Sequence, residues 1–208
     1  MRRVLIATSN PGKLRDFSGA AVAHGIEVAA LPDFDSLAGV VEDGTTFEEN
    51  ARKKAEHHSQ FAPGEIVLAD DSGLEVEALG SKPGVFSARY AFMGCEAVPD
   101  REQADPMNNQ LLLRELSAVP EESRSAGFVC LIAAARDGQT LATFRGEARG
   151  RILHTPRGSG GFGYDPLFFF PALGKTFAEL TTEEKAKVSH RGAAFRKFLE
   201  WYERAVLV

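Results

Sequence analysis

At 208 residues, with 44% hydrophobic and 25% charged residues, the chain is long enough to bury a full core and has the balance of a globular protein. Its formal net charge of −5 argues against a broad nucleic-acid footprint, and its two cysteines, Cys95 and Cys130, form no Cys-x-x-Cys pair of the kind that holds zinc. The opening apolar run is too short for a signal peptide, and no segment approaches the roughly 18 apolar residues of a membrane span. The expectation is a soluble, cytoplasmic protein with no membrane and no nucleic-acid partner.

Residues 4–7 have strand character, and Leu14, Phe17 and Ala21 then recur at helical spacing, so the chain opens strand, loop, helix. The loop is Thr8-Ser9-Asn10-Pro11-Gly12-Lys13. A helix start favours an anion through its unpaired N–H groups, and this loop adds hydroxyl and amide donors and the point charge of Lys13. It is a phosphate cradle or an ordinary strand-to-helix turn. It is not a Walker loop, because the Gly-Lys-Ser/Thr spacing is missing.

Residues 26–31 give a second strand, which completes a βαβ-like unit and implies an α/β or mixed sheet. Thr46 and Glu49 have the spacing of a capping box, which predicts a helix from there to about Gln60, stopped by Pro63-Gly64. Glu42, just ahead of that cap, is either a solvated loop glutamate or a metal ligand. His57 and His58 are neighbours on the helix, so they diverge by about 100° and cannot chelate one ion. Both are expected on the surface.

Residues 66–69 read as a buried strand ending in Asp70-Asp71. Ser72-Gly73 then supplies a turn, and Leu74, Val76 and Ala78 alternate with Glu75 and Glu77 in a second, half-buried strand. Two carboxylates beside an apolar core are costly without a cation. The pair suits a hard ion such as Mg²⁺, bound through one or two carboxylates together with substrate phosphates. The plainer reading is a capped strand end with solvated aspartates.

Asp105-Pro106 predicts an N-cap and a first-turn proline for a helix whose buried face carries Leu111, Leu112 and Leu116. Residues 128–135 are continuously apolar, Asp137-Gly138 is a hairpin signal, and residues 140–152 return as the partner strand. Gly146 and Gly150 are expected at bends or bulges in it. The sheet is therefore mixed.

Residues 158–163, Gly-Ser-Gly-Gly-Phe-Gly, match G-x-G-x-x-G in letters only. Tyr164-Asp165-Pro166 and an apolar run follow where a dinucleotide fingerprint should open a helix. What remains is a flexible loop whose amides can approach a ligand closely. Phe162 and Tyr164 are either core aromatics or faces on which a base stacks. A short helix begins at Thr182, Ser189-His190-Arg191-Gly192 punctuate it, and Phe195, Phe198, Leu199, Tyr202 and Val206 mark the buried face of a terminal helix. Ser189 beside His190 is not a hydrolase pair, since no Gly-x-Ser-x-Gly elbow is present and adjacent residues rarely face each other.

Set side by side, six segments resemble the inosine/xanthosine triphosphate pyrophosphatase family of the dITP/XTP type. They are TSNPGK (8–13), EDGTTFEENA (42–51), KKA (53–55), ADDSGLEVEALGSKPGVFSARY (69–90), GSGGFGYDPLF (158–168) and EKAKVSHRGAAF (184–195). They run in family order across nearly the whole chain. The resemblance implies a mixed α/β (α+β) fold, with one domain over residues 1–208 formed of two lobes about a long mixed central sheet and a substrate cleft between them. It implies a homodimer. It also implies Mg²⁺-dependent hydrolysis of 6-oxo purine nucleoside triphosphates (dITP, ITP, XTP) to the monophosphate and pyrophosphate, which cleanses the nucleotide pool of deaminated purines.

Carried onto this sequence, the resemblance has Thr8, Ser9, Asn10, Pro11, Gly12 and Lys13 hold the triphosphate, with Lys54 near the phosphates. Glu42 and Asp71 serve the metal, Asp70 lies near it, and Asp71 is also the proton acceptor for the attacking water. Ser72 contacts substrate, and Phe162, Gly163, Tyr164 and Asp165 border the base and sugar. Lys185, His190 and Arg191 read the base. Arg191 and amides of the glycine loop are the expected donors to O6, a polar readout able to reject a 6-amino base by about 10⁴. Ser9 stands where the family often has glycine, and residues 92–106 look unlike its usual loop and helix start.

Overall fold

The computed structural model describes residues 2–21, 24–95 and 97–205; Val206, expected on the buried face of the last helix, lies outside them. The chain runs β1 (Arg2–Ile6), α1 (Pro11–Ala21), β2 (Ile26–Ala30), α2 (Phe47–Ser59), β3 (Val67–Val76), β4 (Lys82–Pro83), α3 (Arg101–Glu115), β5 (Ser125–Arg136), β6 (Gln139–Ile152), β7 (Phe168–Phe170), β8 (Lys175–Thr176), α4 (Thr182–Val188) and α5 (His190–Ala205). The strands share one sheet in the order β2-β1-β3-β5-β6-β7-β8, with β4 on β3. β1 pairs in parallel with β2 and β3, whereas β3/β4, β6/β7 and β7/β8 are antiparallel. The mixed α/β expectation holds.

The chain divides into two compact units, the first built from the stretches up to Asp71, Cys130–Glu147 and from Thr182 onward, the second from Ser72–Val129 and Ala148–Thr181. In the first, Val4, Ile6, Leu68, Cys130, Ile132 and Ala134 of the sheet pack with Phe17 of α1 and Phe195, Phe198 and Leu199 of α5. The Phe17 and Phe195 rings lie 5.2 Å apart. Strand alternation puts Asp70 on the same face as Leu68, and Asp71 on the opposite face, where α2 reaches it through Asn50 and Lys54. The period-two geometry of one strand thus sends two adjacent carboxylates to two different helical layers.

Three local expectations change. β3 is one ten-residue strand, with no turn at Ser72-Gly73. Aspartate and glycine are poor strand formers, but here ion pairs to distant helices and the flanking apolar residues override propensity. α3 begins earlier than Asp105: Asp100 is its N-cap, accepting a hydrogen bond from the Gln103 amide, so Pro106 sits inside the helix. Gly146 and Gly150 lie within a continuous β6 rather than at bends. Their role is close approach, since a Cβ at Gly146 would meet His190 O at 2.1 Å and one at Gly150 would meet Phe169 O at 2.3 Å. Gly146→Ala is expected to cost about 3 kcal/mol by forcing the start of α5 off the sheet. Urea unfolding checks it, and an unchanged midpoint would show that α5 can shift freely.

Other expectations hold closely. Thr46 and Glu49 form the full capping box at the start of α2. Asp137 (φ 52°) and Gly138 (φ 81°) both take the left-handed conformation that a two-residue hairpin turn needs. The Gly138 N–H donates to Ser59 Oγ at 2.9 Å, tying that turn to the end of α2.

Candidate active site

The first unit gathers a charged cluster around β3. Asn10 caps α1: its Oδ1 accepts from the Gly12 N–H at 2.8 Å, and Pro11 occupies the first helical position. Asn10 Nδ2 is buried and has no hydrogen-bond partner among the described residues. A buried donor left open beside a helix N-terminus is what an anion-binding loop requires. The 8–11 loop also lines a cavity of about 500 Å³ against Ala30, Leu31 and residues 33–36. Lys13, one turn into α1, faces β3 instead, with its Nζ 3.0 Å from Asp70 Oδ2.

Asp70 is buried among cations, with Arg191 Nε at 3.7 Å beside the Lys13 contact. Burial alone would raise its carboxyl, but Lys13, then Arg191 and Lys54, outweigh that and hold it well below the usual range. Arg191 is braced on its other side by Asp16 at 3.7 Å. Ser189 caps α5, its Oγ accepting from the Gly192 N–H at 3.1 Å, which places His190 and Arg191 in the first turn. His190 is buried, and burial followed by Arg191 and Lys185 lowers its pKa well below the ordinary histidine value. Lys185 of α4 is buried as well.

On the other face of β3, Lys54 Nζ bridges two carboxylates, 2.9 Å from Glu42 Oε2 and 3.1 Å from Asp71 Oδ1. Burial opposes charge on Lys54, but Asp71 and Glu42 raise its pKa. The Asp71 pKa is also raised, by burial first and with Glu42 adding to it against the pull of Lys54. Glu42 and Asp71 both stabilise the positive charge of Lys54, so the pair has the chemistry that a hard cation would require. Among the described residues no group of three or more His, Cys, Asp or Glu could cage a metal. An ion here would take two carboxylates and complete its shell from elsewhere, the pattern of Mg²⁺ on a phosphate substrate. Asp70, expected near that ion, is engaged by Lys13 and Arg191 on the opposite face.

In the second unit, the glycine loop turns through positive φ at Gly158, Gly161 and Gly163. Three of its amides are occupied. The Gly160 N–H donates to Ala178 O at 3.0 Å, that of Phe162 to Asp165 Oδ2 at 2.9 Å, and that of Gly163 to Asp105 Oδ2 at 2.8 Å. The expectation that loop amides donate to O6 is therefore corrected for these three. Tyr164 is the core aromatic of the pair, buried with its hydroxyl donating to Ser87 O at 2.9 Å, while Phe162 is half-buried. Ser72 is half-buried and Asp165 buried.

Residues 4–201 match the model of the Ham1 family. The chain belongs to the Ham1 family. It is 51% identical over 195 residues to a dITP/XTP pyrophosphatase of Acidobacterium capsulatum, covering 93% of this chain and 95% of that one. It is 46% identical to a dITP/XTP pyrophosphatase of Geobacillus kaustophilus, covering 99% and 97%. A Ham1 protein structure from Coxiella burnetii superposes with a TM-score of 0.81 at 38% identity, covering 99% of this chain and 100% of that one. The family read from the motifs is borne out.

Within this Ham1 chain, three site features escaped the sequence reading. Asn50 donates from Nδ2 to Asp71 Oδ2 at 3.2 Å and accepts from the Gly44 N–H at 2.8 Å, so it fixes Asp71 against the loop that carries Glu42. A polar, poorly helix-forming residue among the apolar positions of α2 was its signal. Asp16, three residues after Lys13, had no local signal. His58, expected on the surface, is 4% exposed with its ring 4.8 Å from that of Phe34, and burial lowers its pKa.

Proposed function

We propose that this Ham1 protein hydrolyses 6-oxo purine nucleoside triphosphates (dITP, ITP and XTP) to the monophosphate and pyrophosphate, a hydrolase acting on an acid anhydride. Its cellular task is then removal of deaminated purines from the nucleotide pool, as a cytoplasmic homodimer. Among the described residues no helix is long and apolar enough to cross a membrane. The observation that carries the reading is the Glu42–Lys54–Asp71 arrangement of two carboxylates about one cation, in a chain so close to dITP/XTP pyrophosphatases.

Glu42 and Asp71 hold Mg²⁺, which when bound neutralises charge on the phosphates. Thr8, Ser9, the open Nδ2 of Asn10, the helix start at Pro11-Gly12 and Lys13 bind the triphosphate, and Lys54 turns its ammonium to a phosphate oxygen. Asp71, a carboxylate beside the phosphates, takes the proton of the water that attacks the α-phosphorus. A P–O bond to that water forms, the bond from the α-phosphorus to the bridging oxygen breaks, and pyrophosphate leaves. Ser72 contacts substrate, and Phe162, Gly163, Tyr164 and Asp165 border base and sugar. Lys185, neutral His190 and Arg191 read the base, with Arg191 held in place by Asp16 and Asp70. The expected result is one pyrophosphate per dIMP from dITP with Mg²⁺ and none with excess EDTA. Release of inorganic phosphate and dIDP, or turnover indifferent to EDTA, would contradict the reading.

A further inference from the structure

We propose that one face of α3, carried by Arg101, Asp105 and Asn109, positions the Phe162 ring for the base. It rests on the assignment of Phe162 to the base end of the proposed substrate. The three residues are spaced by four, so they stack along one side of the helix. Asp105 Oδ2 accepts the Gly163 N–H at 2.8 Å, and Asn109 Nδ2 donates to the Gly163 carbonyl at 3.0 Å. One turn earlier, the Arg101 guanidinium covers the Phe162 ring, 5.6 Å from its centre.

The N–H and the carbonyl of Gly163 belong to the two peptide planes that flank its Cα. Fixing both planes fixes its φ and ψ, here with φ +61°, and so the direction in which the chain presents Phe162 on one side and Tyr164 on the other. Tyr164 has its own anchor in the hydrogen bond to Ser87 O. Phe162 does not lie in the core: it is half-buried, as are Asp105 and Asn109, and Arg101 is exposed. A helix face that grips a glycine and roofs a half-exposed aromatic ring makes sense as support for a stacking surface. Because the base is remote from the reacting phosphorus, losing this support removes binding shared by ground and transition states, which raises KM and spares kcat.

The test uses the full chain with dITP, and with tripolyphosphate as an inhibitor that has no base. Asp105→Ala is expected to raise KM for dITP about tenfold with kcat within about twofold, and to leave tripolyphosphate inhibition unchanged. Asp105→Asn keeps an acceptor oxygen and returns KM to within about threefold of the parent protein. Asn109→Ala mimics Asp105→Ala, and the double variant falls short of the product of the two effects, because both act through Gly163. If Asp105→Ala does not fold, Asn109→Ala is read by the same criteria. An unmoved KM in a folded variant, or tripolyphosphate inhibition weakened in step with dITP, overturns the positioning role. Failure of the parent protein to turn over dITP overturns the functional reading instead.

Discussion

Asp71→Asn is expected to lower kcat for dITP by about 10³-fold or more while leaving the fold intact. The asparagine keeps the size of the side chain and can still meet Asn50 and Lys54, so packing on this face of β3 survives. What it loses is the charge that would hold the cation with Glu42 and the basicity that would take the proton of water. Glu42 alone would still bind Lys54, at the 2.9 Å seen here, which limits the structural damage. Turnover near the parent rate in a correctly folded Asp71→Asn would remove Asp71 from the reaction.

Asp70→Asn, one residue away, is expected to do the opposite. This carboxylate is 4% exposed and is the shared counter-charge of Lys13 and Arg191. Removing one partner of a buried ion pair costs about 3–5 kcal/mol, because the charges left behind stay desolvated. For a chain of this length that corresponds to a fall in Tm of roughly 10 °C. Burial already lowers the Lys13 pKa with Asp70 opposing it, so without Asp70 that pKa falls further and the hold of Lys13 on a phosphate weakens. The signature is a lower Tm and a higher KM with kcat much less affected than in Asp71→Asn. A variant of parental stability with kcat abolished would exchange the roles assigned to the two aspartates.

That contrast shows what the sequence could and could not yield. The motifs located every charged residue of the cluster except Asp16, and the capping box placed the start of α2 to the residue. Adjacent aspartates invited a single shared role, because Asp-Ser-Gly suggested that the strand had ended. Once β3 runs on through them, alternation separates the two side chains, and that depends on long-range pairs no local window contains. The start of α3 was misplaced for a related reason: Asp105-Pro106 resembles a cap, yet the carboxylate of Asp105 serves Gly163 far along the chain, while Asp100 and Gln103 close the helix end. Gly146 has a similar history, since only the packed α5 reveals why a side chain is excluded there.

The most direct test of the central claim is kcat/KM for dITP, ITP and XTP against dATP, dGTP and dTTP, each with Mg²⁺ and read as pyrophosphate release. The account predicts a preference of about 10²-fold or more for these three over dATP, since a site that donates to O6 faces a donor when the base carries a 6-amino group. Comparable turnover of dATP, or faster turnover of dTTP, would contradict it.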